Sequence, residues 1–189
     1  MTEYSGKAAP GRAVVLSVAD VAALDFSGLD PAEAAVAAQA AMDAWGLAGV
    51  GVRRDSHWAA VALIAPALAI SRHHPLSACG IEQGTAGLTL FHVDDGPSAL
   101  AIGKRLGVEL CRRLRGQVGA IEAQGCVVGA SALAPSVVWL RHLGFHPVRY
   151  PPGRHRLDLD NLETWLAKVR GRLRTMALPH PLPANRSAR

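Results

Sequence analysis

The sequence has few cysteines and no long apolar runs, and each of these features argues against a class of protein. The chain has three cysteines and no Cys-x-x-Cys spacing, so we expect neither a disulfide framework nor a zinc motif, and a reducing compartment is favoured. No stretch reaches the roughly twenty apolar residues of a membrane span, and the N-terminus lacks a continuous apolar signal region. We therefore expect a soluble, cytoplasmic protein without a membrane partner.

Aromatic residues are also few. They make up 5% of the 189 residues, whereas 50% are hydrophobic, so the predicted core consists of small aliphatic side chains. This length suits one domain with a proper core. Because no repeat and no linker is visible, the sequence predicts a flexible arm over 1–12, a single domain over 13–178 and a disordered Pro-rich tail over 179–189.

The net charge is +5, which suits an anionic small molecule or a nucleic acid as partner. Much of the excess lies in 168–189, where it is typical of a solvated tail. No basic strand with interleaved aromatics and no recognition-helix pattern is present, so we expect no nucleic acid partner.

The most informative stretch is 84–115. An apolar strand over 86–93 is followed by an acidic turn and then by a helix with leucine or isoleucine every fourth residue. Lys104 and Arg105 are predicted on the outer face of this helix. Ser98 is suited to cap its start, and the small residues of its first turn would leave backbone N–H groups exposed to a phosphate. The alternative is an ordinary strand–helix junction with small residues for packing.

The rest of the chain predicts alternating strands and helices. Asp30 and Pro31 indicate a helix start, and Gly46 its end. His73 and His74 are a candidate ligand pair, but neighbouring residues of an extended chain point to opposite faces, so no metal is expected. The remaining predictions are strands at 13–18, 50–53, 58–64, 118–123, 145–149 and 155–160, and helices at 20–24, 134–143 and from 161 onward.

This order of elements resembles the GNAT (GCN5-related N-acetyltransferase) family, and two motifs carry the resemblance. The segment from Ser98 to Gly103 is similar to the family's Arg/Gln-x-x-Gly-x-Gly/Ala motif, with Ala101 for the first glycine. The sequence Leu143-Gly144-Phe145 matches its Leu-Gly-Phe turn. Bacterial members also carry counterparts of Cys126 and of the segment 150–159. The resemblance implies an α/β (α+β) acyl-CoA N-acyltransferase fold, with a mixed, mostly antiparallel sheet, a splayed central parallel pair and flanking helices.

The resemblance also implies a co-substrate, acetyl-CoA, in the gap between the fourth and fifth strands, and no metal. The backbone of Phe91, His92 and Val93 would pair with the pantetheine arm. The pyrophosphate would lie against the start of the helix, whose residues are Ser98, Ala99, Leu100, Ala101, Ile102, Gly103 and Lys104.

The sequence departs from the family where protons are moved. Leu140 replaces the usual tyrosine acid, and Leu133 replaces an asparagine. His92, Glu122 and His142 are the candidate replacements. His92 lies on the central strand beside the expected thioester, and Glu122 on the next strand could reach the cleft through water; the alternatives are a strand histidine that points away and a solvated carboxylate. His142 is predicted on an exposed helix face, and Cys126 as a buried, inert thiol.

Three interpretations of these departures remain: relocated chemistry, catalysis by positioning alone, or lost activity. The leading hypothesis is direct acetyl transfer from acetyl-CoA to a small-molecule or protein amine. The alternative is a degenerate domain that binds acyl-CoA or a partner without turnover. A homodimer through the last helix, which carries Trp165, is a further candidate arrangement.

Overall fold

The computed structural model describes residues 12–26, 29–96, 98–125, 127–128, 140–149, 152–160 and 167. The predicted arm, the last helix and the tail fall outside these ranges, apart from Arg12 and Ala167. In the described part of the chain, no helix is both long enough and apolar enough to cross a bilayer.

The chain begins with strand β1 (Ala13–Val15), helix α1 (Val18–Ala22) and helix α2 (Pro31–Trp45). Helix α1 starts two residues before the predicted position, because Ser17 and Asp20 form a complete capping box. At α2 the prediction is confirmed: the Asp30 carboxylate accepts hydrogen bonds from the amides of Ala32 and Glu33. Gly46, with a φ of 63°, ends this helix in the left-handed conformation.

Eight strands form one mixed sheet, in the order β1-β2-β3-β4-β5-β8-β7, with β6 pairing β4. Among the strands of the described residues, the pairs β4–β5 and β4–β6 are parallel and the other pairs are antiparallel. Helix α3 (Ala99–Leu114) connects β4 to β5, which confirms the predicted strand–helix–strand unit. The other strands are β2 (Gly49–Arg54), β3 (His57–Pro66), β4 (Thr85–Val93), β5 (Ala120–Ala123), β6 (Val127–Val128), β7 (His146–Pro147) and β8 (His155–Asp158), and two 3₁₀ turns lie at Ala67–Ala69 and Pro75–Cys79.

Helices cover both faces of the sheet. Helix α3 buries its leucine stripe against one face, in a cluster that includes Phe91 and Leu106. Helices α1 and α2 pack on the other face, in a cluster that includes Val21, Val61 and Leu90. Side chains of β4 therefore point either to α3 or to the α1–α2 layer, and this choice decides which β4 residues are available to a site.

The last described helical turn, 140–142, ends as the sequence predicts. The Gly144 amide donates to the Arg141 carbonyl, and the Phe145 amide donates to the Leu140 carbonyl. With a φ of 94° at Gly144, these two bonds form a Schellman motif. Phe145 then enters the core with 6% of its surface exposed, which fixes the start of β7.

Candidate functional site

The residues predicted to bind the co-substrate lie at the C-terminal end of β4 and in the first turns of α3. Phe91 and Val93 are buried towards α3, and His92 points to the opposite face. Ser98 occupies the N-cap position of α3, but its side chain makes no capping hydrogen bond. The amides of the first helical turn have no acceptor within the helix, so this end of α3 is suited to an anion.

Lys104 lies elsewhere than predicted. Only 7% of its surface is exposed, so it belongs to the buried side of α3 and not to the outer face. Arg105, its neighbour, is exposed as predicted. Among the described residues, the Lys104 ammonium makes no hydrogen bond or ion pair. The aliphatic stem of Lys104 is therefore buried while its ammonium reaches the surface, one turn from the start of α3.

The parallel pairing of β4 is interrupted near its middle. Pairing with β5 ends at Leu88 opposite Ala123, and pairing with β6 begins at Phe91 opposite Val127. Two residues of β4, Thr89 and Leu90, thus lie between the two parallel pairings. The register between β3 and β4 shifts at the same level. β4 therefore has no parallel neighbour among the described strands at Thr89 and Leu90, whereas β6 pairs with it at Phe91 and His92.

A cavity of about 410 Å³ adjoins this interruption on the α2 side of the sheet. Thr89, Leu90 and Gly125 form its wall at the sheet, and Asp30 and Glu33 contribute carboxylates from the start of α2. The cavity therefore combines an apolar wall with an acidic rim.

His74 lines the same cavity, and both of its ring nitrogens are engaged. Nδ1 accepts from the Leu76 amide at 3.2 Å, and Nε2 lies 3.1 Å from the Thr89 carbonyl oxygen, to which it must donate. Burial lowers the pKa of His74, since it disfavours the imidazolium. His74 is thus a neutral structural residue, and among the described residues no group of three or more His, Cys, Asp and Glu side chains is arranged to hold a metal ion.

His92 belongs to a second cluster that the sequence indicated only in part. Its Nε2 lies 3.0 Å from one Asp94 carboxylate oxygen, and Nε2 of His57 lies 2.9 Å from the other. Exposure of the side chains rises from 12% at His92 to 33% at Asp94 and 55% at His57. The His92 Nδ1 atom is buried and has no hydrogen-bond partner in the part of the chain that the structure describes, and the Phe26 ring stacks on the imidazole with centroids 4.2 Å apart.

The fold places this cluster through backbone pairing. His92 and Asp94 are two residues apart in extended chain, so both point to one face of the sheet. The Asp94 amide donates to the Ala59 carbonyl, which extends the β3–β4 ladder by one residue. His57, the first residue of β3, then reaches Asp94 from the β2–β3 turn. A cavity of about 620 Å³ opens beside the cluster, and its lining also includes Asp20, Asp25, Phe26, Arg53 and Trp58.

Glu122 lies in a different environment. It is 2% exposed and forms ion pairs with Nη2 of Arg154, which is itself buried, and with Nη1 of Arg156 at 3.1 Å. Two guanidinium groups hold this carboxylate, and no cavity described above includes it. The arrangement is typical of a buried structural ion pair.

The other residues near the expected proton-transfer site are apolar or inert. Leu140 is 2% exposed and belongs to the core, so its position supplies no acid. Burial raises the pKa of the Cys111 thiol to about 12, which keeps it protonated and unreactive. His142 is exposed, as predicted. Cys126 and Leu133 lie outside the described residues.

Sequence reasoning identified His92 but missed Asp94 and His57. Asp94 was assigned only to the turn after β4, although its spacing from His92 was available as a signal. His57 had no signal of its own, because its proximity depends on the register between β3 and β4.

The fold and the two cavities define the structural class of this protein. It is a mixed α/β protein whose mostly antiparallel sheet contains a parallel strand–helix–strand unit, with two cavities on the face opposite α3. In comparisons with known proteins, no family model, curated protein or solved structure matches the chain.

Proposed function

We propose that this protein transfers the acetyl group of acetyl-CoA directly to an amine, as the resemblance to the GNAT family implies. The observation that carries the proposal is the interruption of the parallel pair at Thr89 and Leu90, beside the 410 Å³ cavity. A thioester needs a place where it meets unpaired backbone and an acceptor. At the interruption Thr89 and Leu90 have no partner strand on the β5 side among the described residues, although the Thr89 carbonyl accepts a hydrogen bond from His74, and the cavity supplies room for the acyl group.

In this proposal the nucleotide end of acetyl-CoA binds at the start of α3. The amides of Leu100 and Ala101 face the pyrophosphate there, at the positive end of the helix dipole. Lys104 supplies a positive charge one turn further along, where its ammonium would pair with a phosphate. Ser98 leaves more room than the arginine or glutamine of the family motif, but it brings no charge.

The pantetheine arm would run from α3 towards the interruption in β4. Val127 and Val128 lie opposite Phe91 and His92, so pairing of the arm with those two residues requires β6 to move aside. No such movement is needed at Thr89 and Leu90. We therefore assign the thioester carbonyl to the stretch at Thr89 and Leu90, with the acceptor amine on the α1–α2 side of the sheet, where both cavities open.

The chemistry requires a neutral amine nitrogen that attacks the thioester carbonyl carbon. One proton must leave that nitrogen, and the departing thiolate must gain one. Of the three residues proposed from the sequence, His92 is the one that faces a cavity, and we assign the proton transfer to it. Glu122 is assigned to stability instead, because both of its oxygens are held by arginines.

The test is calorimetric titration of acetyl-CoA into the protein and into a matched pair of variants, Ala101→Glu and Ala101→Gln. Ala101 is exposed in the first turn of α3, where a glutamate is compatible with the helix dipole and should not unfold the chain. A carboxylate about 7 Å from a doubly charged diphosphate, at an effective dielectric constant of about 40, costs about 2 kcal/mol. We therefore expect binding about 30-fold weaker in Ala101→Glu than in Ala101→Gln.

Two controls make the result specific. ATP in place of acetyl-CoA reports on phosphate binding alone, and thermal melts show whether each variant is folded, because ligand that binds only the native state raises its melting temperature. If both variants bind acetyl-CoA equally well, the pyrophosphate does not bind at the start of α3. If the unmodified protein does not bind acetyl-CoA, the proposal is wrong. Binding without release of CoA in the presence of primary amines would favour the degenerate domain.

A further inference from the structure

The cluster of His92, Asp94 and His57 contains a ring nitrogen that the fold leaves unused. An ionised carboxylate only accepts hydrogen bonds, so Nε2 of each histidine must carry the hydrogen directed at Asp94. In the neutral His92 ring, Nδ1 is then a bare lone pair. This atom is buried, and none of the described residues donates a hydrogen bond to it.

A buried acceptor without a donor destabilises the folded state, and such groups concentrate at functional positions. The donor that His92 Nδ1 requires is an N–H or O–H group. Phe26 stacks on the ring and does not provide one. The adjoining 620 Å³ cavity is large enough to admit a ligand that does. The carboxylates of Asp20, Asp25 and Asp94 outnumber the one guanidinium group on its wall, that of Arg53, and would attract an ammonium ion, which releases one proton to solvent before the neutral amine donates to Nδ1.

We propose that His92, oriented by Asp94 and His57, is both the proton acceptor and the proton donor of acetyl transfer. This inference rests on the function proposed above. In it, His92 is the catalytic residue, because its Nδ1 contacts the amine. Asp94 and His57 are positioning residues: Asp94 fixes the ring and stabilises its charged form, and His57 holds the second oxygen of Asp94.

One imidazole is sufficient for both proton transfers of the reaction. The amine lone pair forms the C–N bond to the thioester carbonyl carbon, and the nitrogen's proton passes to His92 Nδ1. When the tetrahedral intermediate collapses, the C–S bond breaks and its electron pair stays on sulfur. The imidazolium then returns the same proton from Nδ1 to the thiolate, which leaves as the free thiol of CoA.

A single histidine accounts for the absence of a separate acid. The position of the family's tyrosine is taken by Leu140, which is buried in the core. Glu122 is bound to Arg154 and Arg156. His142 is exposed and lines neither cavity, so His92 remains of the three candidates from the sequence. A carboxylate already orients His92, as an orienting group does for the base of other acyl transferases.

The first experiment measures the tautomer and needs no acceptor. Long-range proton–nitrogen correlation spectra at about pH 8, where a histidine is mostly neutral, show which ring nitrogen carries the hydrogen. We expect a single His92 tautomer with the hydrogen on Nε2. Asp94→Asn should yield a mixture of tautomers, because an amide can donate as well as accept. His146→Gln is the matched control, since His146 lies 3.7 Å from Asp158 outside both cavities.

The second experiment measures CoA release from acetyl-CoA with phenethylamine and other simple primary amines. We expect His92→Gln to lower kcat at least 100-fold, with the KM for acetyl-CoA changed less than twofold. Asp94→Asn should also lower kcat, His57→Gln should lower it less, and His146→Gln should leave it unchanged. Thermal melts of all variants separate these effects from unfolding.

The outcomes separate this inference from the proposed function. Turnover by His92→Gln close to that of the unmodified protein would overturn the inference and leave the transferase standing. Hydrogen on Nδ1 of His92, or a tautomer that Asp94→Asn does not change, would overturn it as well. An unmodified protein that binds acetyl-CoA but never releases CoA would overturn both the inference and the transferase.

Discussion

Replacing Glu122 by glutamine tests whether this residue is structural or catalytic. Its carboxylate is 2% exposed and lies between the guanidinium groups of Arg154 and Arg156. Glutamine has the same shape but no charge, and its amide directs hydrogens towards one of these cations. The substitution therefore removes a buried negative charge from between two cations, and loss of one partner is the costly way to break a buried ion pair.

The size of the effect follows from the surroundings of the two arginines. Removing one partner of a buried ion pair costs about 3–5 kcal/mol. Arg156 keeps hydrogen bonds to Asp158 at 2.8 Å and to Glu82 at 3.2 Å, so most of the loss falls on buried Arg154. We therefore expect the low end of the range, about 3 kcal/mol, which corresponds to a fall in Tm of about 6–12 °C for a chain of this size.

Urea and thermal denaturation at neutral pH measure this loss. Glu109→Gln is the matched control: Glu109 pairs with Arg113 one turn along the surface of α3, and its loss should cost less than about 0.5 kcal/mol. A loss below about 1 kcal/mol for Glu122→Gln would refute the reasoning. If Glu122→Gln is as stable as the unmodified protein but no longer releases CoA, Glu122 would be a candidate for proton transfer again.

Two further predictions concern packing in the sheet and the dependence of stability on pH. Gly49→Ala should destabilise the protein by about 2 kcal/mol or more, measured by urea denaturation, because the new methyl group would meet the Ala62 carbonyl oxygen. Gly119→Ala is the control: a methyl group there enters open space and should change stability little. Equal effects of the two substitutions would contradict the close approach of β2 to β3. Burial lowers the pKa of His74, so the unfolded chain binds this proton first as the pH falls, and stability should drop below about pH 6.5. In His74→Gln the drop in urea midpoint between about pH 7.5 and about pH 5.5 should be smaller, and an identical drop would show that His74 does not contribute.

Much of the local structure follows from the sequence. The start of α2 at Asp30 and Pro31, its end at Gly46, and the turn at Gly144 were all predictable, because a few neighbouring residues form each cap. The leucine repeat of α3 fixed its buried face for the same reason. The parallel unit β4–α3–β5 was also predictable, since a strand, a helix and a strand in succession have one favoured handedness.

The burial of Lys104 could not be predicted from the helical periodicity of the sequence. The repeat assigned it to the outer face, yet it is 7% exposed. A helical position beside the apolar stripe is buried or exposed according to what packs there, and the helical pattern alone does not contain that information.

The site depended on tertiary structure most of all. Glu122 faces Arg156 because β8 pairs with β5, a pairing between strands more than thirty residues apart. His57 meets Asp94 because the register of β3 on β4 brings the start of one strand to the end of the other. The sequence by itself determined which residue types were present and which helices and turns formed, since those depend on local hydrogen bonds. Only the tertiary structure decided which charges met, because contacts between distant residues are set by strand order and register.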